Sequence, residues 1–96
     1  AASREEAERI TGSAVEQRLA ACGQVIGPVA STFRWEGKVE RAEEWLCLLK
    51  TTRARYPELQ RHVLRTHSYR TPEIIATAIT AGAADYLDWI RAETAS

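Results

Sequence analysis

Apolar residues recur along this chain with two different periods, and the changes of period divide it into segments. In "SREEAERITGSAVEQRLAAC", Ala7, Ile10, Ala14, Leu19 and Cys22 fall at helical spacing, which predicts a helix over about residues 3–22. Ser3 with Glu6 fits a capping box at its start, and Glu5 and Glu6 place negative charge where the helix dipole favours it. Gly23 is the expected C-terminal cap, which leaves Cys22 on the inner face of this helix.

The next segment, "QVIGPVASTFRWEGKVERAEEWLCLLKTT", reads as a long hairpin. Val29, Ser31, Phe33 and Trp35 alternate with Ala30, Thr32, Arg34 and Glu36, and "EGK" supplies a glycine turn. Gly27-Pro28 is expected to interrupt the pairing or mark a bulge. The return arm contains "WLCLL", whose unbroken apolar run wants cover on both faces. "YPELQRHVLRTH" predicts a second helix with Pro57 in its first turn and Tyr56, Leu59 and Val63 facing inward. "EIIATAI" predicts a strand broken by Gly82, and "ADYLDWIRAE" a short last helix carrying Tyr86, Leu87, Trp89 and Ile90 at helical spacing.

The order is α, β, β, α, β, α. One strand ahead of the first helix would complete β-α-β-β-α-β, the split βαβ arrangement, so a first strand is expected upstream of residue 1. The chain has no methionine, so residue 1 is not the expected native start. Hairpin arms of about 12 residues are twice the usual strand length and would overhang a small sheet, exposing edges that another subunit can cover.

Composition narrows the function classes. A chain of 96 residues is one domain by expectation, and 13 basic against 13 acidic side chains leave no surplus for nucleic acid or an anionic membrane. No apolar run approaches a bilayer span. Cys22 and Cys47 are 25 apart, which is no zinc spacing and reads as two reduced, buried thiols in a cytoplasmic protein.

Chemistry concentrates in "THSYRTPEII". Pro72 fixes the chain and pushes Thr71 toward an extended conformation, which can hold His67, Tyr69 and Glu73 near one another. The blander alternatives are a helix-terminal histidine on the dipole and a surface carboxylate at a strand start. His62, between Arg61 and Arg65 in sequence, reads as a solvated side chain. Trp35, Glu36 and Lys38 sit at the hairpin tip, where turn chemistry is the simpler account, and Lys50 leaves an apolar run where it can snorkel or pair. Cys22 offers a soft thiolate for Cu(I), although a lone cysteine is usually core. No nucleophile or substrate-orienting motif accompanies His67, Tyr69 and Glu73, so no enzyme is expected.

Six segments, "RLAAC" at 18–22, "RWEGKVE" at 34–40, "LLKTT" at 48–52, "RYPEL" at 55–59, "PEII" at 72–75 and "YLDWI" at 86–90, together resemble the CutA family of divalent-ion-tolerance proteins. The resemblance spans nearly the whole chain. It implies an α+β, ferredoxin-like split βαβ subunit with a long hairpin and an extra C-terminal helix, here 1–96 without the first strand. It also implies a tight homotrimer built through sheet edges, similar in architecture to the PII signalling proteins. By the resemblance the function is divalent metal, and specifically copper, binding in metal-ion tolerance. The alternative is a PII-like sensor or adaptor holding a small anion or metabolite between subunits.

The family's copper sites involve a first-strand cysteine, absent here, and a histidine pair of which His67 remains while Thr66 takes the other place. Cys22 matches the cysteine of "AAC". Trp35, Glu36, Lys50, Tyr69 and Glu73 resemble residues that line or support an intersubunit cleft. The implied partners are further copies of the chain and divalent metal ions, with copper or another divalent ion as the bound species, not required for folding.

Overall fold

A computed structural model describes residues 1–95. Its elements are α1 (Arg4–Glu16), β1 (Cys22–Trp35), β2 (Lys38–Lys50), α2 (Tyr56–Thr66) and α3 (Ala84–Thr94), an α+β chain. Ser3 caps α1 as expected, its Oγ accepting from the Glu6 N–H at 3.1 Å. Glu6 Oε1 accepts from the N–H of Ala2 at 3.2 Å, one residue earlier than a regular capping box would have it.

The first helix ends six residues before the expected 22. Arg18 takes the left-handed conformation with φ 61°. The Arg18 N–H bonds the Val15 carbonyl at 3.0 Å and the Leu19 N–H bonds the Ala14 carbonyl at 2.9 Å. This bond pair is a Schellman stop, closed by buried Leu19 over buried Ala14. Glycine usually fills that position. Here the arginine has an occupation elsewhere: its guanidinium donates to the carbonyls of Ala92 at 2.9 Å and Ala95 at 3.3 Å, at the C-terminal end of α3. Gly23 is therefore not the cap. It lies in β1 opposite Leu49, and a Cβ there would run into the side chains of Thr11 and Leu49. Cys22 is correspondingly the first residue of β1, not a helical residue.

β1 and β2 form one antiparallel hairpin of 14 and 13 residues. Glu36 and Gly37 both have positive φ, 50° and 80°, and join the arms in the two-residue turn whose twist suits a hairpin. The register slips between Ile26 and Val29, so Gly27 and Pro28 stand against Trp45 alone, and the bulge falls where Gly27-Pro28 placed it. The Trp45 ring lies so close on Gly27 that no side chain fits there.

α1 and α2 lie side by side, antiparallel. Arg9 Nη2 donates to the Thr66 carbonyl at 3.2 Å near one end, and Ser13 Oγ meets His62 Nε2 at 2.8 Å farther along. Ile10, Ala14, Leu19, Ala20, Leu59 and Val63 form the core between the helices and the hairpin, with Leu49 and Ile74 packed against it. His62 is thus buried and not solvated, because the α1 serine satisfies its ring.

Two features stand apart from this core. Along β2, Cys47 and Leu49 turn to the helices while Leu46 and Leu48 remain 46% and 40% exposed. The stretch predicted as a strand, 73–79, is not one: among the described residues the sheet has two strands, β1 and β2. A ladder needs a second backbone, and none of the described residues supplies one beside 73–79. Ile75 in this stretch is 75% exposed. Among the described residues no helix is long and apolar enough to cross a membrane.

Candidate functional site

His67 follows directly on α2 and caps it, its N–H bonding the Val63 carbonyl at 2.9 Å. The chain then turns back, and the Tyr69 N–H donates to His67 Nδ1 at 3.0 Å, with the two rings 4.7 Å apart. The Tyr69 hydroxyl donates to Glu44 Oε2 of β2 at 2.8 Å. Glu6 of α1 completes the group, its Oε2 accepting from the Ser68 N–H at 2.9 Å. Three segments distant in sequence therefore meet where α1 begins, α2 ends and β2 passes beneath.

The electrostatics follow from this packing. Burial pushes the His67 imidazole below its ordinary value, outweighing Glu6 and Glu44, which favour the charged ring. Burial and then the hydrogen bond to Glu44 push the Tyr69 phenol up to about 12. In return, the Tyr69 hydroxyl holds the Glu44 carboxyl below its usual range against the cost of burial. Burial alone would raise Glu6, but hydrogen bonds from Ser68 and Ala2 overcome it and leave its carboxyl lowered.

The result is a neutral histidine, the form that binds metals, between two carboxylates that are already engaged. His67 Nδ1 accepts from Tyr69, so the ring carries its proton on Nε2. Coordination at Nε2 would move that proton to Nδ1 and release the Tyr69 N–H. Among the described residues no group of three or more His, Cys, Asp and Glu is placed to hold a metal ion. One chain thus offers a single imidazole and not a coordination sphere.

The structure brings His67 and Tyr69 together and leaves Glu73 exposed, with Glu44 and Glu6 in the place that sequence reasoning gave to it. The signal for Glu44 was its position beside the apolar run of β2, legible only once the hairpin register is known. Cys22 lies at the base of the hairpin, where its Sγ is 3.5 Å from the Tyr86 hydroxyl. Its register partner Lys50 is six residues along β2 from Glu44, about 20 Å, so within one chain Cys22 and His67 lie far apart. The Lys50 ammonium donates to Gln24 Oε1. Trp35 and Glu36 stand at the opposite end, the hairpin tip.

Trp35, Lys50, His67, Tyr69 and Glu73 nevertheless share the walls of one long open trough of about 1670 Å³. One wall is the edge of β2 that β1 does not occupy, from Glu44 to Lys50, with Thr51, Thr52 and Arg53 continuing it; the other is the extended chain from Arg70 to Ile79, except Pro72; Ile10, Leu59 and Val63 floor it. Ala1 lies at this trough and exchanges both backbone hydrogen bonds with Trp45, at 2.7 and 2.8 Å, the pattern of an antiparallel pair.

A long hairpin with two helices on one face and a single imidazole beside its free edge make an α+β chain, and comparison with known proteins places that chain in a family. Residues 1–93 match the family model described as CutA1 divalent ion tolerance protein. The chain belongs to this family. It is 42% identical over 92 residues, 96% of this chain and 89% of the other, to the divalent-cation tolerance protein CutA of Thermus thermophilus. The solved structure of the Thermus thermophilus protein superposes with a TM-score of 0.94 over 97% of this chain and 90% of that one. The structure titled periplasmic divalent cation tolerance protein CutA from Archaeoglobus fulgidus gives a TM-score of 0.95 at 42% identity, over 98% of this chain and 91% of that one. A chloroplastic CutA of Arabidopsis thaliana is 37% identical over 92 residues, and the match spans 96% of this chain but 50% of that protein. The family is named for tolerance to divalent ions and not for a reaction.

Proposed function

We propose that this protein acts in divalent-metal tolerance as a cytoplasmic, non-enzymatic homotrimer that binds copper or another divalent ion through His67. The observation that carries the reading is the match of residues 1–93 to a family described by divalent ion tolerance. The neutral imidazole of His67 supports it, since metal affinity requires the unprotonated ring. Each chain contributes one nitrogen, and the remaining ligands come from other copies. The uncovered Leu46 and Leu48 support association, because an apolar sheet face left open is a surface for a second sheet.

The ferredoxin-like arrangement belongs to the same proposal. The trough has the shape of a strand slot: a free β2 edge, an extended wall that lacks a ladder, and an apolar floor. A strand entering through the Ala1–Trp45 pair would bond to β2 on one side and to 73–79 on the other. The sheet would then hold four strands with the new one in the centre.

Copper titration of the protein, beside His67→Ala, tests the reading, with mass by light scattering in the same samples. A stoichiometric site that is lost in His67→Ala while the trimer persists supports it. Weak copper binding that ignores the substitution excludes His67 as the ligand, and a monomeric mass excludes the shared site.

A further inference from the structure

The antiparallel helix pair has a second end, remote from Glu6. There a cleft of about 210 Å³ opens between the turn that follows α1 and the outer face of α2, lined by Gln17, Leu19, Arg55, Glu58, Arg61 and Arg65. Three arginines and one glutamate leave its walls with an excess of two positive charges, in a chain whose total charge is zero. The excess is therefore local and is not a share of a general basic character.

Only one of the three arginines is matched. Arg55 is largely buried, with 16% of its side chain exposed, and its Nη1 meets Glu58 Oε1 at 3.2 Å. That contact uses up the one carboxylate in the cleft. The Arg55 Nε is buried with no hydrogen-bond partner, a donor that has left water without replacement. Arg61 and Arg65 stand one helical turn apart, both exposed, and neither has an ion pair or side-chain hydrogen bond among the described residues. Like charges at this spacing repel, and among the described residues no ion pair offsets the repulsion. Gln17 adds an amide, held by its Nε2 contact to Ser13 Oγ at 3.5 Å.

We propose that this cleft binds an oxyanion of the phosphate class, with Arg61 and Arg65 clamping it, the anchored Arg55 behind them and Gln17 at its side. Arginine forks match tetrahedral oxyanions, and two forks from one helix face can each offer paired N–H donors. The volume is below that of a drug-sized ligand site, so it takes a single phosphate group, free or carried at the end of a larger molecule. The site is separate from the His67 cluster and stands whether or not His67 binds metal.

Calorimetric titration with inorganic phosphate, and in a second arm with glycerol 3-phosphate, tests it in chelator-containing buffer at low chloride. The protein is compared with Arg61→Gln/Arg65→Gln, with the charge-preserving Arg61→Lys/Arg65→Lys, and with Arg34→Gln/Arg41→Gln, which removes the same charge from the hairpin. Saturable binding that falls at least about tenfold in the glutamine pair, less in the lysine pair and not in the hairpin pair is expected. Binding of both ligands supports a phosphate carried on a larger molecule; binding of inorganic phosphate alone supports the free ion. No saturable binding of either, or an equal loss in the cleft and hairpin pairs, overturns the proposal.

Discussion

The two faces of the hairpin are made from the same strands and end in opposite states. On the helix face, Cys47 and Leu49 of β2 meet α1 and the core, and Ile10, Leu59 and Val63 are buried. On the other face, Ile26, Leu46 and Leu48 alternate with them and stay open. Apolar area removed from water stabilises by about 25 cal/mol per Å², so the first face holds this chain together and the second can contribute only through another surface. Within "WLCLL", Cys47 and Leu49 therefore serve the chain's own packing, while Leu46 and Leu48 are left without a partner in it.

The largest expected effect breaks the outer face. Leu46→Glu with Leu48→Glu places carboxylates where the proposed trimer would bury apolar side chains, and desolvating them unpaired is prohibitive. Light scattering should report a single-chain mass, while helical circular dichroism is kept because neither residue belongs to the chain's own core. A trimer that survives both substitutions would move the interface elsewhere. The inner face should respond in the opposite sense. Leu59→Ala empties a packed position and should cost about 3 kcal/mol, within the 2–5 range for such truncations, read by chemical denaturation.

Ser13→Ala tests the polar seam within the covered face. It leaves the buried His62 ring without its 2.8 Å partner, which should cost about 1–3 kcal/mol. His62→Leu in the same background should restore part of that loss, since replacing both partners by apolar groups removes the unmet hydrogen bond. A double variant as unstable as Ser13→Ala would mean that shape, and not the hydrogen bond, is what His62 supplies.

These contrasts also explain what could be read from the sequence. The hairpin, its glycine turn, the Gly27-Pro28 bulge and the helical periods depend on local pattern and on residues with restricted backbones, so they were legible. The early stop of α1 was not, because Arg18 stands where glycine normally signals the turn and its guanidinium reaches α3, some 75 positions on. The burial of His62 depended on Ser13, and polar neighbours in sequence gave the wrong environment. For the site, local chain direction was enough to join His67 with Tyr69. Glu44 and Glu6 enter through register and helix packing, which a single sequence does not display. The segment 73–79 has strand-forming residues, but strand formation depends on a partner edge, and the edge facing it is across the trough.

The smallest expected effect lies at the seam between the two faces, in the pH response of the Glu44, Tyr69 and His67 group. The Glu44 carboxyl is held below its ordinary 4.5, so the native state keeps it ionised more readily than the unfolded chain. Its contribution is complete above that value and is lost as pH falls through the lower folded value. His67 is held below its ordinary 6.5, so the unfolded chain takes up the proton first. Stability then declines as pH falls from about 6.5 through the folded value, and stays at that reduced level below it. Tyr69→Phe removes the contact that does most to lower Glu44, and should move its carboxyl resonance midpoint up toward 4.5 in a carbon-detected titration. His67→Gln should flatten the decline below 6.5 and leave the more acidic limb in place. Both changes should stay under about 1 kcal/mol, because these groups keep partial contact with water. If instead His67→Gln removes the acidic limb and Tyr69→Phe does not move Glu44, the histidine and not the phenol governs that carboxylate, and the order of the hydrogen-bonded chain at the end of α2 must be reversed.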